Sequence, residues 1–138
     1  MKKVVNTPQA PAAIGPYSQA ISGNGFVFVS GQLPLDPATG EFAEGGIKEL
    51  TRQSLENIRA ILEEAQLKME DVVKTTVFLT DMADFPEMNI AYAEYFQDAP
   101  PARSAVQVCA LPKKARIEIE AIAVKPKNKY STYRRMID

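Results

Sequence analysis

The chain has 138 residues, 46% of them apolar and 24% charged, the mix of one soluble domain large enough to close its own core. It has no histidine and a single cysteine, Cys109, which excludes imidazole-dependent nucleophiles, His-ligated metals, internal disulfides and Cys-x-x-Cys sites. The formal charge is −1, but residues 125–138 hold five basic residues against Asp138, a local +4 that leaves −5 on the rest.

This pattern divides the chain into a single domain, 1–124, and a basic C-terminal tail, 125–138. An acidic body is a poor footprint for nucleic acid, and only the tail offers one. No apolar stretch approaches the ~18 residues of a membrane span, and Met1-Lys2-Lys3 lacks the apolar region of a secretory signal. A cytoplasmic protein is expected.

In chain order, residues 17–21 and 26–30 are short β-rich runs around Ser22-Gly23-Asn24-Gly25, a hairpin signal. Residues 33–46, with Pro34, Pro37, Gly40, Gly45 and Gly46, are loop. Ile47, Leu50, Ser54, Leu55, Ile58, Ile61, Leu62 and Ala65 then recur at helical steps opposite Lys48, Glu49, Arg52, Glu56, Arg59 and Glu63. The spacing predicts an amphipathic helix of about five turns. Residues 72–80 are rich in β-branched side chains and read as a strand. Asp84 and Pro86 mark the start of a second helix, with Phe85, Met88, Tyr92, Tyr95 and Phe96 as its apolar stripe.

Residues 103–111 and 116–124 alternate with period two, and Leu111-Pro112-Lys113-Lys114 between them predicts a hairpin. The whole is an α+β sheet with its helices on one face. On such a hairpin the other face mixes Arg103, Gln107, Glu118 and Glu120 with Ala105, Cys109, Ile122 and Val124. That is too apolar for a solvated surface and too charged for a closed core, and suggests subunit packing with polar sites at its edges.

Arg103 offers a planar fork of donors suited to a carboxylate. With histidine absent, Glu118 or Glu120 is the base available to deprotonate a water, and the residues alone leave the choice between them open. In the predicted hairpin Glu118 faces Gln107, roughly 13 Å along the strand from Arg103. The two then share a small substrate only if strands of different subunits meet. Tyr17, Ser30, Gly31 and Asn89 are further candidates, each alone equally compatible with a structural role. Cys109 has no basic neighbour in its strand to lower its pKa and reads as inert. Gly23-Asn24-Gly25 opens a strand rather than a helix, so no dinucleotide fingerprint is present.

Ala12-Ala13-Ile14-Gly15-Pro16-Tyr17-Ser18-Gln19, Val29-Ser30-Gly31-Gln32-Leu33-Pro34, Val73-Lys74-Thr75-Thr76-Val77-Phe78-Leu79, Pro101-Ala102-Arg103-Ser104 and Ile117-Glu118-Ile119-Glu120-Ala121 occur in this order. Together they resemble the RidA (YjgF/UK114) family, over about residues 11–124. The resemblance implies a chorismate-mutase-like mixed sheet with two helices on one face, assembled as a homotrimer with clefts between subunits. It implies hydrolysis of reactive 2-imino acids and their enamine tautomers to 2-oxo acids and ammonia, without a metal or cofactor. The substrates would come from pyridoxal-phosphate dehydratases. Carried over, Glu118 directs water, Arg103 binds the carboxylate, and Tyr17, Ser30, Gly31, Asn89 and the backbone at Ala105 shape the pocket. Ala105 stands where many relatives have cysteine, and the tail exceeds the usual family length. The alternatives are a non-catalytic trimer that senses 2-oxo acids and a ribonuclease or translation inhibitor.

Overall fold

A computed structural model describes residues 1–127. All but the first three residues of the basic tail therefore lie outside the described residues. The elements are β1 (Lys3–Val5), β2 (Ala20–Gly23), β3 (Phe26–Gln32), α1 (Ile47–Glu64), β4 (Val72–Leu79), α2 (Phe85–Ala93), β5 (Ala102–Gln107) and β6 (Ile117–Val124). The strands form one sheet in the order β1-β2-β3-β6-β4-β5, antiparallel throughout except where β4 meets β5. Among the described residues no helix is long and apolar enough to cross a membrane.

Asn24 (φ 53°) and Gly25 (φ 83°) close the β2–β3 hairpin in the left-handed conformation that a two-residue turn requires. The strand before this turn runs from Ala20 through Gly23, so Tyr17, Ser18 and Gln19 precede it rather than belong to it. The three-residue β1 has no counterpart among the predicted elements. It is too short for periodicity to register and exists because Val4 pairs with Ile21. α1 follows the predicted periodicity, with Leu55, Ile58, Ile61 and Leu62 buried against Val77, Leu79, Ile117 and Ile119. Each such side chain contributes roughly 1.5–3 kcal/mol of transfer free energy. α2 ends at Ala93, so Tyr95 and Phe96 lie beyond it. It starts where Asp84 and Pro86 mark it, with Asp84 at the N-cap position and Pro86 in the first turn. The Asp84 carboxylate accepts from Arg116 at 2.9 Å rather than from the helix backbone, while Asp81 caps the preceding 3-10 turn by accepting the Ala83 N–H.

The predicted hairpin between the last two strands is not formed. β4 lies between them, parallel to β5 and antiparallel to β6. The chain passes from the edge strand across β4 through a 3-10 turn at Pro112–Lys114. Burial explains the order. β4 buries Val72, Thr75, Val77 and Leu79, whereas no residue of β5 is fully buried, so β4 takes the interior and β5 the edge.

The change of neighbour also changes the faces. Ala121, Thr75 and Arg103 form one cross-strand row, Ile119, Val77 and Ala105 the next, and Ile117, Leu79 and Gln107 a third. All three rows lie on the helix side, where Thr75, Val77, Leu79 and the β6 partners are buried. Arg103, Ala105 and Gln107 are therefore not on the face of Glu118 and Glu120, and Cys109 lies beyond β5, exposed. The open face carries Glu118, Phe78 and Val106 in one row and Val4, Ile21, Phe28, Ile122 and Lys74 in another. It is more apolar than the sequence predicts, because β3 adds Phe26 and Phe28, stacked at 5.9 Å.

Candidate active site

β3 and β6 fall out of register between Val29 and Gln32, where Ser30 and Gly31 face Glu120 across the ladder. An extra residue in one strand makes a bulge and re-aims its neighbours. Glu118 fills the space this creates. A Cβ placed on Gly31 would lie 2.7 Å from the Glu118 Cδ and 3.1 Å from its Cγ, so glycine is required there for the carboxylate to lie over the strand. Burial holds the Glu118 pKa above the usual carboxylate value, and the neighbouring Glu120 adds to the rise. Among the described residues Glu118 makes no salt bridge.

The carboxylate faces a cleft of about 580 Å³, bounded by Ile14, Tyr17, Ser30, Leu33 and Pro112. Two buried amides frame it. Gln19 accepts the Thr7 N–H at 2.7 Å and donates to the Thr7 and Pro11 carbonyls at 3.0 and 2.8 Å, pinning the segment that leads to Tyr17. Asn57 donates to the Leu33 and Leu35 carbonyls at 3.1 and 2.9 Å, tying the opposite wall to α1. Ser30 gives its hydroxyl proton to the Ser18 carbonyl at 2.6 Å, so its oxygen faces a ligand only as an acceptor. Tyr17 is half exposed, and its phenolic oxygen accepts the Ile14 N–H at 3.3 Å.

Arg103 and Asn89 are a separate pair. From β5 the guanidinium donates to the Asn89 Oδ1 at 2.7 Å, with its carbon 4.8 Å from the Tyr92 ring centroid and 5.5 Å from that of Phe85. Ala105 follows on the same face, packed against the core beside Val77. Of the residues singled out from sequence, Tyr17, Ser30, Gly31 and Glu118 thus come together, and Arg103, Asn89 and Ala105 do not join them. Gln19 and Asn57 are not among the sequence candidates. Asn57 had a legible signal, because it stands at the core spacing between Ser54 and Ile61 on the apolar face of α1. Among the described residues no cluster of three or more His, Cys, Asp or Glu is placed to hold a metal.

The Endoribonuclease L-PSP family model matches residues 7–125. A RutC family protein of Pyrococcus horikoshii is 58% identical over 91% of this chain and 99% of its own. The 2-iminobutanoate/2-iminopropanoate deaminase of mouse is 51% identical over 90% of this chain and 92% of its own. Among solved structures, yeast Mmf1 superposes with a TM-score of 0.88 at 41% identity, covering 91% of this chain and all of that one. The YjgF gene product of E. coli gives 0.86 at 47% identity, covering 90% and 99%. On the matched length, the motifs and the fold, this chain belongs to the Endoribonuclease L-PSP (YjgF/RidA) family.

Proposed function

We propose that the protein is a cytoplasmic deaminase. It hydrolyses reactive 2-imino acids and their enamine tautomers to 2-oxo acids and ammonia, at sites completed between the subunits of a homotrimer. The observation that carries the reading is a pair of unneutralised charges on opposite faces of one sheet. Glu118 makes no salt bridge among the described residues, and neither does Arg103. A 2-imino acid offers a carboxylate to the guanidinium and an electrophilic carbon to a water held by the glutamate. One chain cannot bring both to one small molecule, but two neighbouring chains can. The exposed Val4, Phe26, Phe28 and Val106 of the open sheet face support such an assembly, because they need cover. The 51% identity to a protein named as this deaminase supports the substrate class.

The chemistry is balanced with the residues present. Arg103 holds the substrate carboxylate, with Asn89 and the β5 backbone at Ala105 beside it. Water bonds to the imine carbon through oxygen, its proton passing to Glu118 and on to the nitrogen. Glu118 then takes the hydroxyl proton of the carbinolamine, the nitrogen receives it, and the C–N bond breaks to release ammonia. Pyridoxal-phosphate dehydratases, which release such imines, would supply the substrate. The family model's endoribonuclease description favours a second reading, against which stand the absence of histidine and the two carboxylates, Glu118 and Glu120, lining the cleft. The test is the decay of an imine generated in situ, followed by absorbance with the mass measured by light scattering. Acceleration over spontaneous hydrolysis by a trimer is expected. No acceleration, or a monomer at micromolar concentration, overturns the proposal.

A further inference from the structure

Three residues of α2, two of them packed against the core, also meet a single guanidinium. Phe85, Asn89 and Tyr92 stand at helical steps of four and three residues, and all three meet Arg103. The Tyr92 ring is buried, and its hydroxyl shares a 2.6 Å hydrogen bond with the Thr75 hydroxyl. Thr75 is the direct cross-strand neighbour of Arg103. The ring is thus fixed by the same β4–β5 pair that presents the arginine. These three partners of the guanidinium are all neutral: an amide oxygen and two aromatic faces. Burial raises the Tyr92 pKa above the ordinary phenol value.

We propose that Phe85 and Tyr92 are positioning residues for carboxylate capture, forming an aromatic cradle that orients the Arg103 guanidinium without neutralising it. Ring quadrupoles attract a cation to the ring face without adding a formal negative charge. A carboxylate in the same place would orient the fork equally well but would compete with the carboxylate of the substrate. Asn89 does the same on the edge of the fork, accepting one N–H through a neutral oxygen. The cradle thus explains why the strand arginine remains available to an anion. Its role in catalysis rests on the deaminase reading, but its effect on Arg103 does not.

The test measures binding of 2-oxobutanoate by calorimetry, steady-state kinetics on the imine, and the Arg103 side-chain Nε–Hε signal by NMR without ligand. Phe85→Leu and Tyr92→Leu are each expected to raise Kd and KM about three- to thirty-fold, with kcat little changed and the arginine signal mobilised. Tyr92→Phe keeps the ring but leaves the buried Thr75 hydroxyl without its partner, so it is expected to lower Tm while raising Kd and KM less than Tyr92→Leu. Because Tyr92 is buried, Phe85→Leu carries the test if Tyr92→Leu does not fold. Asn89→Asp places a carboxylate against the guanidinium. It is expected to weaken 2-oxobutanoate binding about tenfold or more without lowering Tm. Unchanged Kd and NMR signal in Phe85→Leu overturn the cradle, and so does unchanged binding in Asn89→Asp. If the wild type binds no 2-oxo acid while the arginine signal still depends on the rings, the deaminase reading fails and the cradle stands.

Discussion

Glu118 and Arg103 belong to strands separated only by β4, yet the fold treats their charges in opposite ways. Glu118 is laid over a glycine, partly desolvated and set beside a second carboxylate, all of which disfavour its ionised form. Arg103 rests on two rings and an amide oxygen, which orient its charge and leave it in place. The contrast follows from what each group is proposed to do. A proton acceptor gains from a raised pKa, whereas an anion receptor gains from a charge that nothing has already matched.

The largest effect is expected on the acid–base side. Glu118→Gln is expected to lower kcat by about 10²–10⁴-fold while leaving 2-oxobutanoate binding nearly unchanged. Glu120→Gln, one row away on the same face, is the control and should retain most activity. Equal losses in both would reduce the glutamates to a shared electrostatic role. On the other face, Arg103→Lys should lose nearly as much binding as Arg103→Ala, about 1.5–3 kcal/mol, because an ammonium lacks the fork. Titration calorimetry with 2-oxobutanoate decides it, and wild-type affinity in the lysine variant would mean that charge alone suffices.

Mixing the two defects sharpens the question of whether one substrate sees both faces. If each site takes its glutamate from one subunit and its arginine from the next, refolding Glu118→Gln with Arg103→Ala in equal amounts should regenerate about a quarter of the wild-type sites. No recovery over the parents would place both groups in one chain's site. A smaller effect is expected from Gly31→Ala, whose methyl would push the carboxylate off the strand. A loss of about tenfold in kcat, with stability lowered by about 1–3 kcal/mol from overpacking, is the expected outcome in kinetics and urea melts.

The smallest effect concerns pH. Because burial raises the Glu118 pKa above 4.5, the native state binds its proton more tightly than the unfolded chain. That contribution is full below the unfolded pKa and is lost as pH rises through the folded value. At neutral pH Glu118 therefore costs stability relative to a neutral side chain in its place, and Glu118→Gln should melt slightly higher than wild type. The gain should vanish below pH about 4. Scanning calorimetry at both pH values checks the sign. The acid limb of kcat/KM should likewise lie at higher pH than an ordinary glutamate would give.

Local order was legible in the sequence wherever one element's own periodicity decided it. The apolar stripe of α1, the β-branched run of β4 and the Asn24-Gly25 turn depend on neighbours a few residues away, and they stand where the pattern puts them. The sequence also singles out Tyr17, Ser30, Gly31, Asn89, Arg103, Ala105 and Glu118 as candidates, of which the structure brings Tyr17, Ser30, Gly31 and Glu118 to one cleft. Period-two alternation also located β5 and β6, but alternation says only that successive side chains take opposite faces, not which strand lies alongside.

That choice belongs to the tertiary structure. Inserting β4 between β5 and β6 moved Arg103, Ala105 and Gln107 to the helix side and left Glu118 on the open face. The insertion follows from burial, since β4 has an inward row to hide and β5 does not. The close approach of Glu118 to Gly31 and the meeting of Arg103 with the α2 rings join residues far apart in the chain. Residue types along the chain show which side chains have the chemistry for a site. Only the packed sheet decided which of them share a face, because strand pairing is set by the burial of the whole core rather than by any segment within it.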